Sequence, residues 1–416
     1  MLVSHRRDQL IEFVKSLLRH SFVLDALPES AENTFRHIEE LIEEHRSSPF
    51  DSRLKEAVPS VGLFHTALPL ARAYRRFDAT YKISRRRFVS PSFNEIREIL
   101  NLAQVLAFER PGERTTSLKF VTFDGDCTLY SDGKNFNDMN LAASIARLLR
   151  AGVCVALVTA AGYGYEASKY EKRLDSLLQF FFESFRDSEE KEDILRRFYV
   201  LGGESNYLLQ AGLSMETVIL EPRKDAWSAL SSVNFDEAEI QFLLDVAERS
   251  LRETVSDLNL KNAKVIRKAR AIGLVPSSVR REILDEAVLR AQEALKKHKL
   301  ASENKIPYCA FNGGSDVWVD VGNKEVGVTG LQQLLDVKPE SSLHIGDQFL
   351  QGGNDLAARG ASCCLWITDP NETKAILTDI LDVIEKPHTP DDDPDQPVAP
   401  SSPRNSHKPR LFPPEA

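Results

Sequence analysis

The chain has 416 residues, 42% hydrophobic and 28% charged, with Lys+Arg 53 against Asp+Glu 62 for a formal charge of −9. This length suggests two to three domains around a sizeable core, and the negative balance argues against a general nucleic-acid coat, which needs a positive field. No run approaches the roughly 18 apolar residues of a membrane-spanning helix, and charges interrupt the first twenty residues, where a signal segment would be apolar.

In chain order, residues 1–115 carry helical periodicity: Leu10, Phe13, Val14, Leu17 and Leu18 share one face, and Phe35, Ile38, Leu41 and Ile42 repeat it. Residues 74–88, YRRFDATYKISRRRF, interleave five arginines and a lysine with aromatics. Such a stretch is a solvated face or interdomain contact, or else a subunit interface or a pocket for a phosphate-bearing effector, with Arg75, Arg85, Arg86 and Arg87 as candidate contacts. A linker is expected around Pro111. From Leu118, LKFVTFD reads as a strand, and DMNLAASIARLLRAG as a helix with Asn137 or Asp138 near its N-cap and Gly152 past its end. VCVALVTA follows as a parallel strand covered on both faces. Strand, helix and strand form a right-handed βαβ unit.

The pattern resumes with SLHIGD, NDLAARG, ASCCLWIT and TKAILTDILDVIE as strand, helix, strand and helix. The 145 residues from Gly162 to Ile306 are too many for a loop and read as an inserted α+β subdomain. The last 30 residues hold nine of 20 prolines and the acidic cluster Asp391 to Asp393, a composition that predicts disorder. The expected division is thus a helical region at 1–115, a core at 116–162 and 307–386, a cap at 163–306 and a tail at 387–416. The five cysteines form no CxxC, which fits reduced thiols in the cytoplasm.

The chemistry concentrates in FVTFDGDCTLYSDG. Asp124 and Asp126, spaced i, i+2 at a strand end, both face the crevice where open α/β sheets bind ligands. Two neighbouring carboxylates call for a cation such as Mg²⁺, although DxDxT alone, with Thr128 as its hydroxyl, also suits a turn or cap. Matching parts follow in order. Thr159 ends a second strand with a hydroxyl for a phosphoryl oxygen, and Lys324 carries a charge for phosphate and nucleophile. Asp347 follows a third strand, with Asn354 and Asp355 in the Gly-rich loop behind it.

This constellation resembles the haloacid dehalogenase superfamily. The resemblance implies an α/β, Rossmann-like core of strand order 3-2-1-4-5 carrying an inserted α+β cap. It implies Asp124 as the nucleophile, Asp126 as the general acid and base, and Mg²⁺ on the Asp124 side chain, the Asp126 backbone carbonyl and Asp347. The GDQFLQGGND stretch also resembles eukaryotic phosphomannomutases, but those start almost at their first motif. HSFVLD, the arginine-rich stretch, KFVTFDGDCTLYSDG and HIGDQFLQGGND together look like the IMP-specific 5′-nucleotidases of fungi and protozoa. That family implies hydrolysis of inosine 5′-monophosphate (IMP), activation by ATP through the helical region, and a homotetramer.

Substrate contacts are expected from Asp126, Thr128, Asp132, Thr159 and Lys324. FNGGSDVWVDVGNK adds Asn312, Ser315 and Asp316, with Asp316 preferred, while Asp320 is expected to position Lys324. Arg173, at the expected start of the cap, is a candidate to grip phosphate on cap closure. A catalytically silent nucleotide sensor and an aspartyl-phosphorylated receiver domain fit less well, the first because the reactive residues are all present, the second because of the long insertion.

Overall fold

The structure is a computed structural model and describes residues 8–24, 28–86, 88–110, 116–215, 217–230, 232–278, 280–298, 306–350 and 352–386. The expected linker at Pro111, Arg87 and the tail from residue 387 lie outside the described residues.

Five helices come first: α1 (Gln9–Leu24), α2 (Pro28–Ser47), α3 (Arg53–Ala57), α4 (Leu70–Tyr81) and α5 (Phe93–Leu106). Val14, Leu18, Phe35, Ile38 and Ile42 are fully buried in their common core, while Leu10, Phe13 and Leu17 pack against it part-buried. The start of α5 is set by a capping box of Ser92 and Glu95, which satisfies two otherwise orphaned backbone donors.

The α/β core follows as β1 (Phe120–Phe123), α6 (Met139–Arg150), β2 (Cys154–Thr159), α7 (Ala167–Phe185), α8 (Lys191–Leu195), β3 (Phe198–Gly202), β4 (Tyr207–Ser214), β5 (Thr217–Pro222) and α9 (Lys224–Ser228). A second unit holds α10 (Glu237–Asp257), β6 (Lys264–Arg267), β7 (Ala271–Val275), α11 (Arg281–Lys297), β8 (Tyr308–Asn312) and β9 (Val317–Val321). The chain then returns to the core through α12 (Lys324–Leu335), β10 (Ser342–Gly346), β11 (Cys363–Trp366) and α13 (Pro370–Glu385). The core sheet has seven strands in the order β11-β10-β1-β2-β3-β4-β5. Its five parallel strands, read in chain order, give the expected 3-2-1-4-5. The second sheet, β6-β7-β9-β8, is antiparallel and is packed by α10 and α11 around Leu243, Leu244, Leu284 and Val319.

The expected cap boundaries therefore move at both ends. Phe198–Gly202 is apolar and buried at every position and pairs parallel to β2. The hairpin β4/β5 extends the same sheet, so α7 through β5 belong to the core rather than to the cap. Conversely, β8 and β9, placed in the core by the sequence, complete the cap sheet. The length of the interval between the two core blocks was readable, but which of its strands pair with which block depends on long-range contacts.

The helical region closes one edge of the core. β11 is the edge strand, and Asn101 on α5 substitutes for a neighbouring strand: its Nδ2 donates to the Trp366 carbonyl at 2.7 Å and its Oδ1 accepts from Trp366 N at 3.0 Å. Arg97, buried beside it, donates to the same carbonyl at 2.5 Å and forks onto Glu372 of α13 at 2.6 and 3.0 Å. Arg97→Ala would leave the Glu372 carboxylate and the strand edge uncompensated, and a loss of about 3 kcal/mol is expected from shifts in urea denaturation midpoint.

Candidate active site

β1 delivers Asp124 to the carboxyl edge of the sheet, where its N–H still donates to Ile345 O at 2.9 Å. The chain then turns within five residues, with Leu129 N donating back to Gly125 O at 2.9 Å and Cys127 in the left-handed region at φ 59°. Position 125 has no room for a side chain, since a Cβ there would lie 2.3 Å from the Tyr130 hydroxyl oxygen. This tight turn brings Asp126 beside Asp124. Asp126 Oδ1 accepts from Gly133 N at 2.9 Å and from Arg173 Nη2 at 2.5 Å. The Arg173 guanidinium also lies 4.9 Å from the centre of the Tyr130 ring and donates to the Tyr163 hydroxyl at 3.1 Å. Arg173 thus sits on α7, a core helix, and holds the carboxylate of Asp126, whereas the sequence placed it on a closing cap.

Lys324 is the first residue of α12 and is fully buried. Its ammonium donates to Asp124 Oδ1 at 2.6 Å and to Asp355 Oδ1 at 2.5 Å. Asp355 Oδ1 also meets His344 Nε2 at 2.8 Å, and its Oδ2 accepts from Gln348 N at 2.8 Å. His344 Nδ1 lies 2.8 Å from Thr122 Oγ1. Burial lowers the His344 pKa, which favours a neutral ring donating to Asp355 and accepting from Thr122. Burial pushes Asp124 well above the ordinary carboxylate range against the pull of Lys324, and the surrounding carboxylates hold Lys324 well above its own ordinary value despite its burial. Asp355 is held low: Lys324 and His344 outweigh its desolvation.

Carboxylate oxygens of Asp124, Asp347 and Asp355 fall within 4.8 Å of one another. Asp355 has both oxygens committed to Lys324, His344 and Gln348 N, whereas Asp347 Oδ1 is buried without a partner among the described residues. Burial, then the nearby Asp355, raises the Asp347 carboxyl to about 7. An all-oxygen donor set with an unpartnered buried carboxylate oxygen fits a hard dication such as Mg²⁺, with Asp124 and Asp347 as the donors and Asp355 as the anchor of Lys324. Asp347 is tied to the helical region through Trp366, whose indole N–H donates to the Asp347 carbonyl at 2.9 Å.

Above these residues lies a cavity of about 720 Å³ between core and cap. Its floor holds Asp124, Asp126, Thr159, Asp347 and Asn354, and Asp132, Ser315 and Asp316 also line it, as expected. Thr159 Oγ1 accepts from Ala161 N at 3.1 Å. Lys324 lies beneath the floor. Besides Lys324, one expected substrate contact does not reach the cavity, and Asp320 does not take up its expected place beside Lys324. Thr128 is fully buried, because its turn points the side chain inward. Asp320 is buried on β9, opposite Cys309 and Ala271 in the cap sheet, and makes no hydrogen bond to Lys324. Asn312 lines the cavity but braces its own turn, bonding Asp285 Oδ1 at 2.8 Å and Gly314 N at 2.9 Å. The cap adds residues the sequence did not single out: Phe311, Trp318 and Lys268, whose ammonium lies 4.0 Å from the centre of the Trp318 ring. A lone lysine in a basic turn carries no local signal, and only the pairing of the neighbouring β7 with β9 brings it to this wall.

Of the effector candidates, Arg75 bonds Glu32 at 2.6 Å, Arg86 forks onto Glu95 at 2.5 and 3.1 Å, and Arg85 is exposed. Arg75 and Arg86 thus already join helical elements to one another.

Residues 1–377 match the model of the family described as IMP-specific 5′-nucleotidase. The IMP-specific 5′-nucleotidase 1 of Plasmodium falciparum is 39% identical over 390 residues, spanning 90% of this chain and 83% of its own. That of Neurospora crassa is 38% identical over 427 residues, spanning 92% and 97%. The IMP-bound structure of a mutant Plasmodium falciparum IMP-nucleotidase superposes with a TM-score of 0.81 at 39% identity, covering 91% of this chain and 94% of that one. The ATP-bound form gives 0.77 at 40% identity, covering 90% and 85%.

Proposed function

Because the chain belongs to the IMP-specific 5′-nucleotidase family of phosphoric monoester hydrolases, we propose that it hydrolyses IMP to inosine and phosphate through an aspartyl-phosphate on Asp124. The observation that carries this reading is a buried Asp124 held by Lys324 beneath a cavity roofed by an aromatic cap wall.

An Asp124 carboxylate oxygen attacks phosphorus while Asp126 gives its proton to the departing 5′ oxygen of inosine, and the bond from phosphorus to that oxygen breaks. Asp126 then takes a proton from water, whose oxygen attacks phosphorus, and the bond to Asp124 breaks to free phosphate. Lys324 aims the nucleophile from beneath, Thr159 receives a phosphoryl oxygen, and Arg173 keeps Asp126 directed at the leaving group. Mg²⁺ held by Asp124, Asp347 and the Asp126 carbonyl would neutralise charge on the transferring group. Trp318 and Phe311 supply apolar surface for a planar base, with Asp132, Ser315 and Asp316 available to the ribose. Activation by ATP and a homotetramer are proposed from the family likeness alone, and a cytoplasmic setting from the unpaired cysteines. Among the described residues no helix is long and apolar enough to cross a membrane.

The test is phosphate release from IMP, AMP, GMP and mannose 1-phosphate in parallel, with and without ATP. Release from IMP alone, lost in EDTA and restored by excess Mg²⁺, is the expected result. Equal release from all four, or full activity in EDTA, would overturn the substrate or the metal respectively.

A further inference from the structure

Glu204 is buried, backbone-strained and absent from the reaction sequence above. β3 ends at Gly202, and the chain reverses through Gly203 and Glu204, both in the left-handed region at φ 60° and 62°. A non-glycine residue there is uncommon and marks a conformation that its surroundings enforce. The turn is hooked onto the catalytic end of β2, with Glu204 N donating to Thr159 O at 2.9 Å and Gly203 N to Ala161 O at 3.1 Å. The Glu204 side chain is fully buried and does not line the cavity. Its Oε1 accepts from Asn354 Nδ2 at 2.8 Å, while Oε2 has no partner among the described residues.

Asn354, 4% exposed, does line the cavity, one residue before Asp355. Although burial raises its pKa, Glu204 presents Oε1 as the acceptor, and the Asn354 carboxamide therefore turns its NH₂ toward β3. Asn354 Oδ1 is left as a buried acceptor with no donor among the described residues. Two unusual features, an enforced left-handed glutamate and a one-sided carboxamide, thus converge on the loop that carries Asp347 and Asp355.

Building on the metal-dependent hydrolysis proposed above, we propose that Glu204 is a positioning residue. It locks the Asn354 carboxamide with its oxygen toward the metal-bearing loop, as an acceptor for water on the bound cation. Partners of this kind typically change metal affinity or activity by about 10–100-fold when removed. Glu204→Met, similar in length but without an acceptor, should weaken Mn²⁺ binding, read from the electron paramagnetic resonance of the free ion, by about tenfold. It should lower kcat by a similar factor and leave KM for IMP within about twofold, because Glu204 does not reach the cavity. Its melting temperature should hold or rise, since a buried polar group with an unpartnered oxygen is removed. Glu204→Gln keeps an acceptor in place and should retain most of both properties.

A polarity swap gives a second reading that survives if Glu204→Met folds poorly. Asn354→Asp sets two carboxylates face to face and should impair metal binding and kcat. Adding Glu204→Gln supplies a donor to the carboxylate introduced at position 354 and should recover both. Unchanged Mn²⁺ affinity and kcat in Glu204→Met would overturn the proposal, as would a double variant no better than Asn354→Asp. If the wild type bound Mn²⁺ but released no phosphate from IMP, the substrate reading would fall while the Mn²⁺ comparisons still judged Glu204.

Discussion

Asp124→Asn is expected to abolish IMP hydrolysis, with kcat falling by at least about 10⁴-fold, while the protein folds as before. The amide cannot attack phosphorus, so no aspartyl-phosphate forms and the residues around it have no intermediate to resolve. The structure explains why the fold survives. Burial already raises the Asp124 carboxyl above its ordinary range, so a neutral isostere removes a desolvation cost from the folded state. Lys324 keeps Asp355 as its counter-ion at 2.5 Å, so its buried charge is not orphaned. Circular dichroism melts should coincide with the wild type within a few degrees. The variant should still bind IMP in the presence of Mg²⁺, measurable by calorimetry. Residual turnover within tenfold of the wild type would remove Asp124 from the nucleophile's role.

What the sequence disclosed and what it hid divide along the range of the contacts involved. The Asp124–Asp126 pair and its strand are local, so residues 120–133 could be read directly. Thr159 and Asp347 end apolar strands that announce themselves as buried and parallel. Lys324 was legible only through its order in the chain, and nothing local shows that it opens a helix and lies between two carboxylates. Arg173 lines the cavity, but on a core helix, because α7 can be assigned to the core only once β3 and β5 are known to extend the main sheet. Glu204 sits in LGGESNY, which reads as an ordinary turn. Its importance comes from Asn354, 150 residues away. Lys268, in the turn before β7, meets Trp318 because β7 pairs with β9, which no spacing reveals. The arginine-rich stretch shows the opposite failure. Clustered charge was visible, but Glu32 and Glu95, which neutralise Arg75 and Arg86, lie outside that stretch. The edge pairing of Asn101 with Trp366 leaves no mark in either segment alone.

Lys324→Met should produce the largest loss of stability of any single substitution considered. Methionine is close to lysine in length, so packing changes little and the effect is electrostatic. Asp124 and Asp355 would be left as two buried carboxylates facing each other without a cation, and breaking a buried ionic group in this way costs about 3–5 kcal/mol. The pH dependence gives the signature. In the wild type the Lys324 pKa is raised on folding, so its contribution is complete below its ordinary 10.5 and fades only as pH climbs through the folded value. The Asp355 pKa is lowered on folding, so its contribution is complete above its ordinary 3.8 and fades only as pH drops through the folded value. Between those limits this pair adds no slope. Without Lys324, both carboxylates titrate higher in the folded chain than in the unfolded one, the folded state holds more protons, and stability rises as pH falls. The gap in melting temperature between wild type and variant, measured in EDTA so that no cation compensates, should therefore narrow from pH 8 to pH 5. A gap that stays constant or widens toward acid would show that Lys324 is not what holds Asp355 ionised. In Mg²⁺ at neutral pH the same variant should lose about 10²–10³-fold in kcat, the usual cost of deleting one preorganised charge from a phosphoryl-transfer site.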